Sequence, residues 1–118
     1  MKLPNAEMAV VDREKVTDYL LNPAHRYGSS KARFFADFGF TASNWELFAD
    51  ALSYHVQENE VAKTKGTPFG PRYEVEGPMN APDGRRPRVW TIWQLDEGQI
   101  APRLITAYPA EANEDKGT

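Results

Sequence analysis

Residues 88–95 read RVWTIWQL, and this stretch decides the fold class. Its side chains alternate between two faces, with Val89, Thr91, Trp93 and Leu95 on one face and Trp90, Ile92 and Gln94 on the other. Both faces are largely apolar, which is typical of an inner strand that is covered on both sides. The stretch therefore predicts an inner strand over residues 87–95.

Three other segments with alternating side chains lie around this strand, at residues 61–65, 72–77 and 102–108. The segment Pro82-Asp83-Gly84 predicts a turn, because proline restricts φ and glycine accepts positive φ. The segment Asp96-Glu97-Gly98 predicts a second turn. Four short strands joined in this way predict an antiparallel meander.

Helical spacing dominates the first half of the chain. Three helices are expected, over residues 12–21, 31–38 and 41–58. The third has the clearest apolar stripe, formed by Trp45, Phe48, Ala49, Leu52 and Val56. Ser29 or Ser30 can cap the second helix, and Gly39 follows it where a left-handed residue is common. Helices followed by strands predict an α+β fold, with about three helices packed on one face of a four-stranded antiparallel sheet. The other face of the sheet is expected to be partly open.

Length and composition restrict the classes of function. The chain has 118 residues, which fits one domain over residues 1–109 and a flexible acidic tail over residues 110–118. It contains no cysteine, so thiol catalysis and thiolate metal sites are excluded. No apolar run is long enough to cross a membrane, and Glu7 and Asp12 interrupt any signal-peptide core. We therefore expect a cytoplasmic protein with no membrane partner.

The net charge of −3 hides an uneven distribution. Without the last nine residues, the chain has 13 basic and 14 acidic residues. Within this nearly neutral part, His25, Arg26, Lys31 and Arg33 form a basic island without acids. Cations beside a helix N-terminus favour phosphate binding. The alternative is a plain turn whose cations face solvent.

A second set of candidate residues lies in the last strand. Arg103 can hold a phosphate, and the hydroxyls of Thr106 and Tyr108 can donate to an oxyanion. Alternation places Arg103 on the face opposite the other two, so one shared site needs a bulge in the strand. The alternative is that Thr106 and Tyr108 are ordinary strand residues.

Sites for metals and cofactors are not expected. The only two histidines, His25 and His55, are thirty residues apart and have no carboxylate at ligand spacing. Motifs for nucleotide binding and for hydrolase nucleophiles are absent. His55 lies at the edge of the apolar stripe of the third helix, where we expect its ring to pack on the core.

Longer sequence blocks resemble a small bacterial family of unknown function. They are the KLPNAE segment at residues 2–7, the PRLITAYP segment at residues 102–109, and a spaced block formed by Asn22, Pro23, His25, Gly28, Lys31, Ala32 and Phe35. These blocks are also similar to C-terminal toxin domains of bacterial polymorphic and contact-dependent toxins. Such domains are grouped with the metal-independent ribonucleases of the barnase–EndoU–colicin–RelE-like class.

The resemblance implies that the substrate is RNA and that the 2′-hydroxyl attacks the adjacent phosphate. It implies that His25 or Lys31 handles a proton or the phosphate charge. Arg103 would then clamp the phosphate while Thr106 and Tyr108 orient it, and Arg26 and Arg33 would bind further phosphates. No cofactor is implied, and an inhibitor protein is a further partner to consider.

One departure from the relatives supports an alternative function. Many of them have a histidine just before the Lys-Ala pair, where this chain has Ser30. The alternative is a non-catalytic module that binds a protein partner through the open sheet face, using Trp90 or Trp93. A small-molecule or nucleotide binder is the third class that the sequence leaves open.

Overall fold

The computed structural model describes residues 1–110. A 3₁₀ turn, Ala6–Met8, precedes the first helix α1, which begins as Arg13–Lys15 and continues in π-helical geometry over Val16–Leu20. The helix α2 spans Ser29–Asp37, and a second 3₁₀ turn, Ala42–Asn44, leads into the helix α3, Trp45–Glu58. The prediction of about three helices before the sheet is confirmed.

The second helix starts two residues earlier than the sequence predicts. Ser29 and Ser30 are its first residues rather than caps, and Gly28 occupies the N-cap position without a side-chain bond. The reason is local, because the N–H of Ser29 already donates to the His25 carbonyl at 3.1 Å. The helix ends as predicted, since Gly39 has a φ of 104°. Its N–H donates to the Ala36 carbonyl, an arrangement that satisfies the end of a helix.

The sheet is an antiparallel meander in the order β1-β2-β3-β4. Its strands are β1 Val61–Lys65, β2 Arg72–Pro78, β3 Arg88–Gln94 and β4 Arg103–Pro109. The predicted strand ends differ from these by no more than one residue. β3 is an inner strand, as RVWTIWQL indicates, and it pairs with β2 through Val75↔Thr91 and Tyr73↔Trp93.

One face of the sheet packs on the helices. The buried cluster that joins the two layers contains Tyr73, Val75, Val89, Trp93, Leu104 and Ala107 from the strands and Phe35, Phe48, Leu52 and Val56 from α2 and α3. The opposite face holds half-buried side chains, among them Glu74, Glu76, Trp90 and Tyr108. We call this surface the outer face. It is partly open, as the sequence predicts.

A bulge in β4 changes which side chains share a face. The pairing of β3 and β4 shifts from Ile92↔Thr106 to Trp93↔Leu104, so Ile105 has no partner of its own. Beyond the shift, Arg103 pairs with Gln94. Because Gln94 and Ile92 lie on the same face of β3, the bulge brings Arg103 to the face of Thr106. Simple alternation places it on the other face.

The end of the described chain continues the sheet. The N–H of Ala110 donates to the Arg88 carbonyl at 3.0 Å. The remainder of the predicted tail, residues 111–118, lies outside the described residues. Within residues 1–110, no helix combines the length and apolar character needed to cross a bilayer.

Candidate functional site

A surface groove of about 770 Å³ runs between the α1 segment, the loop that contains His25, and strand β4. The groove is lined by Asp12, Glu14, Lys15, Asp18, Tyr19, His25, Tyr27, Ile105 and Thr106. Two of the sequence-predicted site residues, His25 and Thr106, therefore face the same groove although they are far apart in the chain.

Tyr19 is the centre of this groove. Its hydroxyl lies 3.1 Å from Thr106 Oγ1, which forms a hydrogen bond between the helical layer and β4. The ring of His25 contacts the ring of Tyr19 edge-on, with 4.9 Å between their centroids. Lys31 Nζ lies 5.7 Å from the centroid of the same ring. His25, Lys31 and Thr106 are thus gathered around one side chain.

His25 has an orientation that its neighbours determine. Its Nδ1 accepts the backbone N–H groups of Tyr27 and Gly28, each at 3.0 Å. A ring nitrogen that accepts two hydrogen bonds carries no hydrogen, so the neutral ring has its hydrogen on Nε2. His25 therefore presents a donor, Nε2–H, as its remaining polar group.

Gly28 allows the His25 loop to lie against Tyr19. A Cβ at residue 28 would collide with the Tyr19 carbonyl oxygen and would lie 2.9 Å from Tyr19 Cδ1. The contact leaves no room for a larger residue. The glycine of the sequence block is thus explained by a close approach of two backbone segments.

The charges around the groove are mixed. Lys15 Nζ lies 5.6 Å from the Tyr19 ring centroid, so that Lys15 and Lys31 both place an ammonium over this ring. Lys31 also donates to the Tyr27 carbonyl at 3.3 Å. Three carboxylates line the same groove, those of Asp12, Glu14 and Asp18. The groove can therefore offer cations to an anion and carboxylates to a proton donor.

Arg103 does not line the groove. Its Nε donates to Asp96 Oδ2 at 2.6 Å, and its Nη2 donates to Asp96 Oδ1 at 3.3 Å. This hydrogen bonding lowers the pKa of the Asp96 carboxyl below its usual value and raises the pKa of Arg103. The guanidinium is thus already paired, although the bulge places it on the same face of β4 as Thr106.

Tyr108 also lies outside the groove, on the outer face opposite Trp90. Partial burial raises the pKa of its phenol, and the nearby Glu74 carboxylate adds to this effect. The ring is therefore neutral at physiological pH and can act as a hydrogen-bond donor.

The two predicted phosphate-binding arginines of the basic island are separated. Arg26 Cζ lies 5.5 Å from the Tyr27 ring centroid, at the mouth of the groove. Arg33 instead lines a different hollow of about 250 Å³, together with Leu21, Pro23 and Phe40. The roles predicted for Arg26, Arg33, Arg103 and Tyr108 remain predictions.

Of the nine residues that line the groove, sequence reasoning singles out two, His25 and Thr106. It misses the other seven, which are Asp12, Glu14, Lys15, Asp18, Tyr19, Tyr27 and Ile105. In the sequence, Tyr19 stands beside the apolar face of the first helix and resembles a packing residue. Its spacing from Lys15 places both on one helical face, but nothing local indicates Thr106 as their neighbour. Only the pairing of β4 with the rest of the sheet brings these residues together.

The second histidine, His55, belongs to the core and is only 1% exposed. Its Nδ1 lies 3.2 Å from Thr91 Oγ1, which accepts the indole N–H of Trp93 at 2.8 Å. Burial lowers the pKa of His55 to about 4, although the nearby carbonyls of Gly77 and Val89 oppose the shift. His55 is therefore neutral and has no access to a substrate.

Within residues 1–110, no group of three or more histidine, aspartate or glutamate side chains is arranged to hold a metal ion. The groove can act chemically through its imidazole, ammonium, hydroxyl and carboxylate groups. These groups are suited to binding an anion and to moving protons.

Comparison with solved structures finds a similar fold in one chain of the "contact-dependent growth inhibition toxin - immunity protein complex from Klebsiella pneumoniae 342". The two chains are 18% identical, with a TM-score of 0.68 over 91% of this chain and 97% of the other. At this identity the likeness concerns the fold alone. Comparison with curated protein sequences gives no match. A family model described as "Domain of unknown function (DUF6883)" matches residues 2–111, and the chain belongs to this family.

Proposed function

We propose that this domain is a metal-independent, toxin-related ribonuclease that acts on RNA in the cytoplasm and uses the groove around Tyr19. One observation carries the proposal. His25, Lys31 and Thr106 come from three separate segments, and all three contact or approach the Tyr19 side chain. The residue types of this set, an imidazole, an ammonium and a hydroxyl, are suited to phosphate chemistry.

The proposed reaction forms a bond between the 2′-oxygen and phosphorus and breaks the bond between phosphorus and the 5′-oxygen. A groove carboxylate, Glu14 or Asp18, takes the proton of the 2′-hydroxyl. The Lys31 ammonium gives a proton to the departing 5′-oxygen. Nε2–H of His25 donates to a phosphate oxygen, where charge accumulates in the transition state. No metal ion takes part in any of these transfers.

The hydroxyl pair of Tyr19 and Thr106 orients the phosphate in this proposal. At 3.1 Å one hydroxyl donates to the other, which leaves one hydrogen free to donate to a phosphate oxygen. Arg103 and Tyr108 lie on the same strand but outside the groove, and in this proposal they contact the RNA beside the reacting phosphate. Arg103 would exchange Asp96 for the phosphate of a neighbouring nucleotide, and Arg26 and Arg33 would hold phosphates farther along.

The test is cleavage of a labelled RNA by the purified protein with a chelator present. The decisive variant is His25→Asn, because an asparagine Oδ1 replaces Nδ1 as acceptor for the Tyr27 and Gly28 N–H groups while Nε2 is lost. We expect wild-type protein to cleave the RNA and the variant to be slower by about 100-fold or more. Lys31→Met is expected to be similarly slow, and Lys65→Met, on the exposed strand β1, serves as the matched control.

Intact RNA after incubation with the wild-type protein would contradict the proposal. The same conclusion follows if His25→Asn and Lys31→Met cleave as fast as Lys65→Met. Circular dichroism of every variant ensures that a slow rate reflects lost chemistry rather than lost folding.

A second candidate function is a non-catalytic module that binds a protein partner, such as an inhibitor, through the outer face. The half-buried Trp90 favours it, because it lies opposite Tyr108 on a face that no helix of the described chain covers. Trp93 cannot contribute, since it is fully buried and bonded to Thr91. This candidate is preferred if a partner protein binds the wild type and His25→Asn but not Trp90→Asp, and if RNA stays intact.

A further inference from the structure

Tyr27 is an exposed aromatic residue at the mouth of the groove. Its side chain is 67% exposed, although its ring is large and apolar. The ring centroid lies 6.2 Å from that of His25, so it stands directly beside the proposed catalytic group. An exposed aromatic ring at this place offers a flat surface to whatever enters the groove.

The backbone of Tyr27 is held firmly for a residue in a loop. Its N–H donates to His25 Nδ1 at 3.0 Å, and its carbonyl accepts a bond from Lys31 Nζ at 3.3 Å. Both partners belong to the proposed reaction site. The backbone from which the ring projects is therefore fixed relative to His25 and Lys31 before any ligand binds, which lowers the entropic cost of binding.

One face of the Tyr27 ring already receives a planar cation. The exposed guanidinium of Arg26 lies over it, with Cζ at 5.5 Å from the ring centroid. Nucleobases stack on tyrosine rings and on arginine guanidinium planes alike. A base that enters here has tyrosine on one side and a cation within reach on the other.

We propose that Tyr27 is a stacking platform for one unpaired nucleobase, next to the phosphate held by His25 and Lys31. The inference rests on the proposed function and names its substrate class, which is single-stranded RNA. Base-paired RNA cannot offer an isolated base to a ring at this position, because its bases are stacked within the helix. Stacking of this kind tolerates all four bases, so Tyr27 contributes affinity rather than sequence preference.

The experiment measures binding of a short, fluorescein-labelled, single-stranded 2′-O-methyl RNA, whose blocked 2′-oxygen prevents the proposed cleavage. A matched abasic strand with the same backbone charge is measured in parallel. We expect the wild type and Tyr27→Phe to bind the strand with bases about tenfold more tightly than the abasic strand. Tyr27→Leu should lose this preference and keep its affinity for the abasic strand. Phe69→Leu is the matched control, since Phe69 is also exposed, at 70%, but lies in the β1–β2 loop.

The inference is overturned if the wild type and Tyr27→Leu prefer the strand with bases over the abasic strand by the same factor. It is also overturned if the wild type binds neither strand. Its failure is separable from that of the proposed function. If the Tyr27 preference is found but unmodified RNA stays intact, the stacking platform stands and the catalysis fails. If RNA is cleaved and the preference is absent, the catalysis stands and the platform fails.

Discussion

At the scale of single residues, Gly28 controls how closely the His25 loop approaches Tyr19. The absent side chain lets the two backbone segments touch, and the Gly28 N–H then reaches His25 Nδ1. The same contact sets the edge-on packing of the His25 and Tyr19 rings. The geometry of the groove thus depends on one residue that has no side chain.

We expect Gly28→Ala to lower the free energy of unfolding by about 1–3 kcal/mol, because the added methyl group must displace the Tyr19 backbone. Gly66→Ala is the matched control, since a Cβ at residue 66 meets nothing within 4 Å. It should change stability by less than about 0.5 kcal/mol. Urea denaturation measures the free energy of unfolding of both variants. Equal effects of the two substitutions would show that the close contact does not contribute to stability.

The sequence singles out two polar residues of the groove but neither its centre nor its carboxylates. His25 and Thr106 stand out because their residue types are suited to phosphate chemistry. Tyr19 does not, since a tyrosine beside an apolar helix face is usually part of the core. Its role depends on Thr106, which is 87 residues away, and no local pattern predicts that contact.

At the scale of elements, α3 holds the helical layer on the sheet. Phe48, Leu52 and Val56 are fully buried along one side of the helix, whereas Leu47 and Tyr54 are exposed on the other. This division follows the apolar stripe read from the sequence, because the stripe repeats with the period of a helix. Elements whose periodicity is strong are thus predictable from sequence.

We expect Leu52→Ala to lower the free energy of unfolding by about 2–5 kcal/mol. Leu52 is 0% exposed, so the substitution leaves a cavity in the core. Leu47→Ala removes the same atoms from the same helix at a position that is 52% exposed. Its cost should stay within about 0.5 kcal/mol. Thermal or urea unfolding compares the pair, and similar losses for both would contradict the packing described for α3.

The bulge at Ile105 is a feature of β4 that the sequence of the strand does not predict. Alternation along β4 places Arg103 and Thr106 on opposite faces, and the observed pairing places them on the same face. A bulge arises from how two strands fit together, so the sequence of one strand does not reveal it. The candidate residues of β4 were identifiable from sequence, but their relative directions were not.

At the scale of the whole molecule, a buried polar chain links the helical layer to the sheet. Trp93 donates to Thr91 Oγ1, and Thr91 is bonded to Nδ1 of His55 on α3. Nε2 of His55 has no partner of good geometry among the described residues. Protonation of this ring would place a charge in the core, which the surrounding apolar residues cannot solvate.

We expect the folded state to lose about 3 kcal/mol of stability as the pH falls from neutral to about 4, through His55 alone. In the unfolded chain His55 takes up its proton near pH 6.5, whereas in the folded protein its pKa is about 4. Between these values the unfolded state binds more protons, so acid favours unfolding. Urea denaturation across this range should show a shallower loss for His55→Gln, because the variant lacks the group that takes up this proton. Some loss remains, since carboxylates such as Glu76 titrate in both proteins. Parallel pH profiles would contradict the burial of a neutral His55.

The most direct test of the groove as a ribonuclease site is the chemical identity of the new RNA ends. The proposed attack by the 2′-hydroxyl leaves a 2′,3′-cyclic phosphate on one fragment and a free 5′-hydroxyl on the other, with a chelator present. Mass spectrometry of a defined RNA after incubation with the wild-type protein should find both ends, and His25→Asn should form them about 100-fold more slowly. Fragments that carry a 5′-phosphate, or no fragments at all, would contradict the central claim.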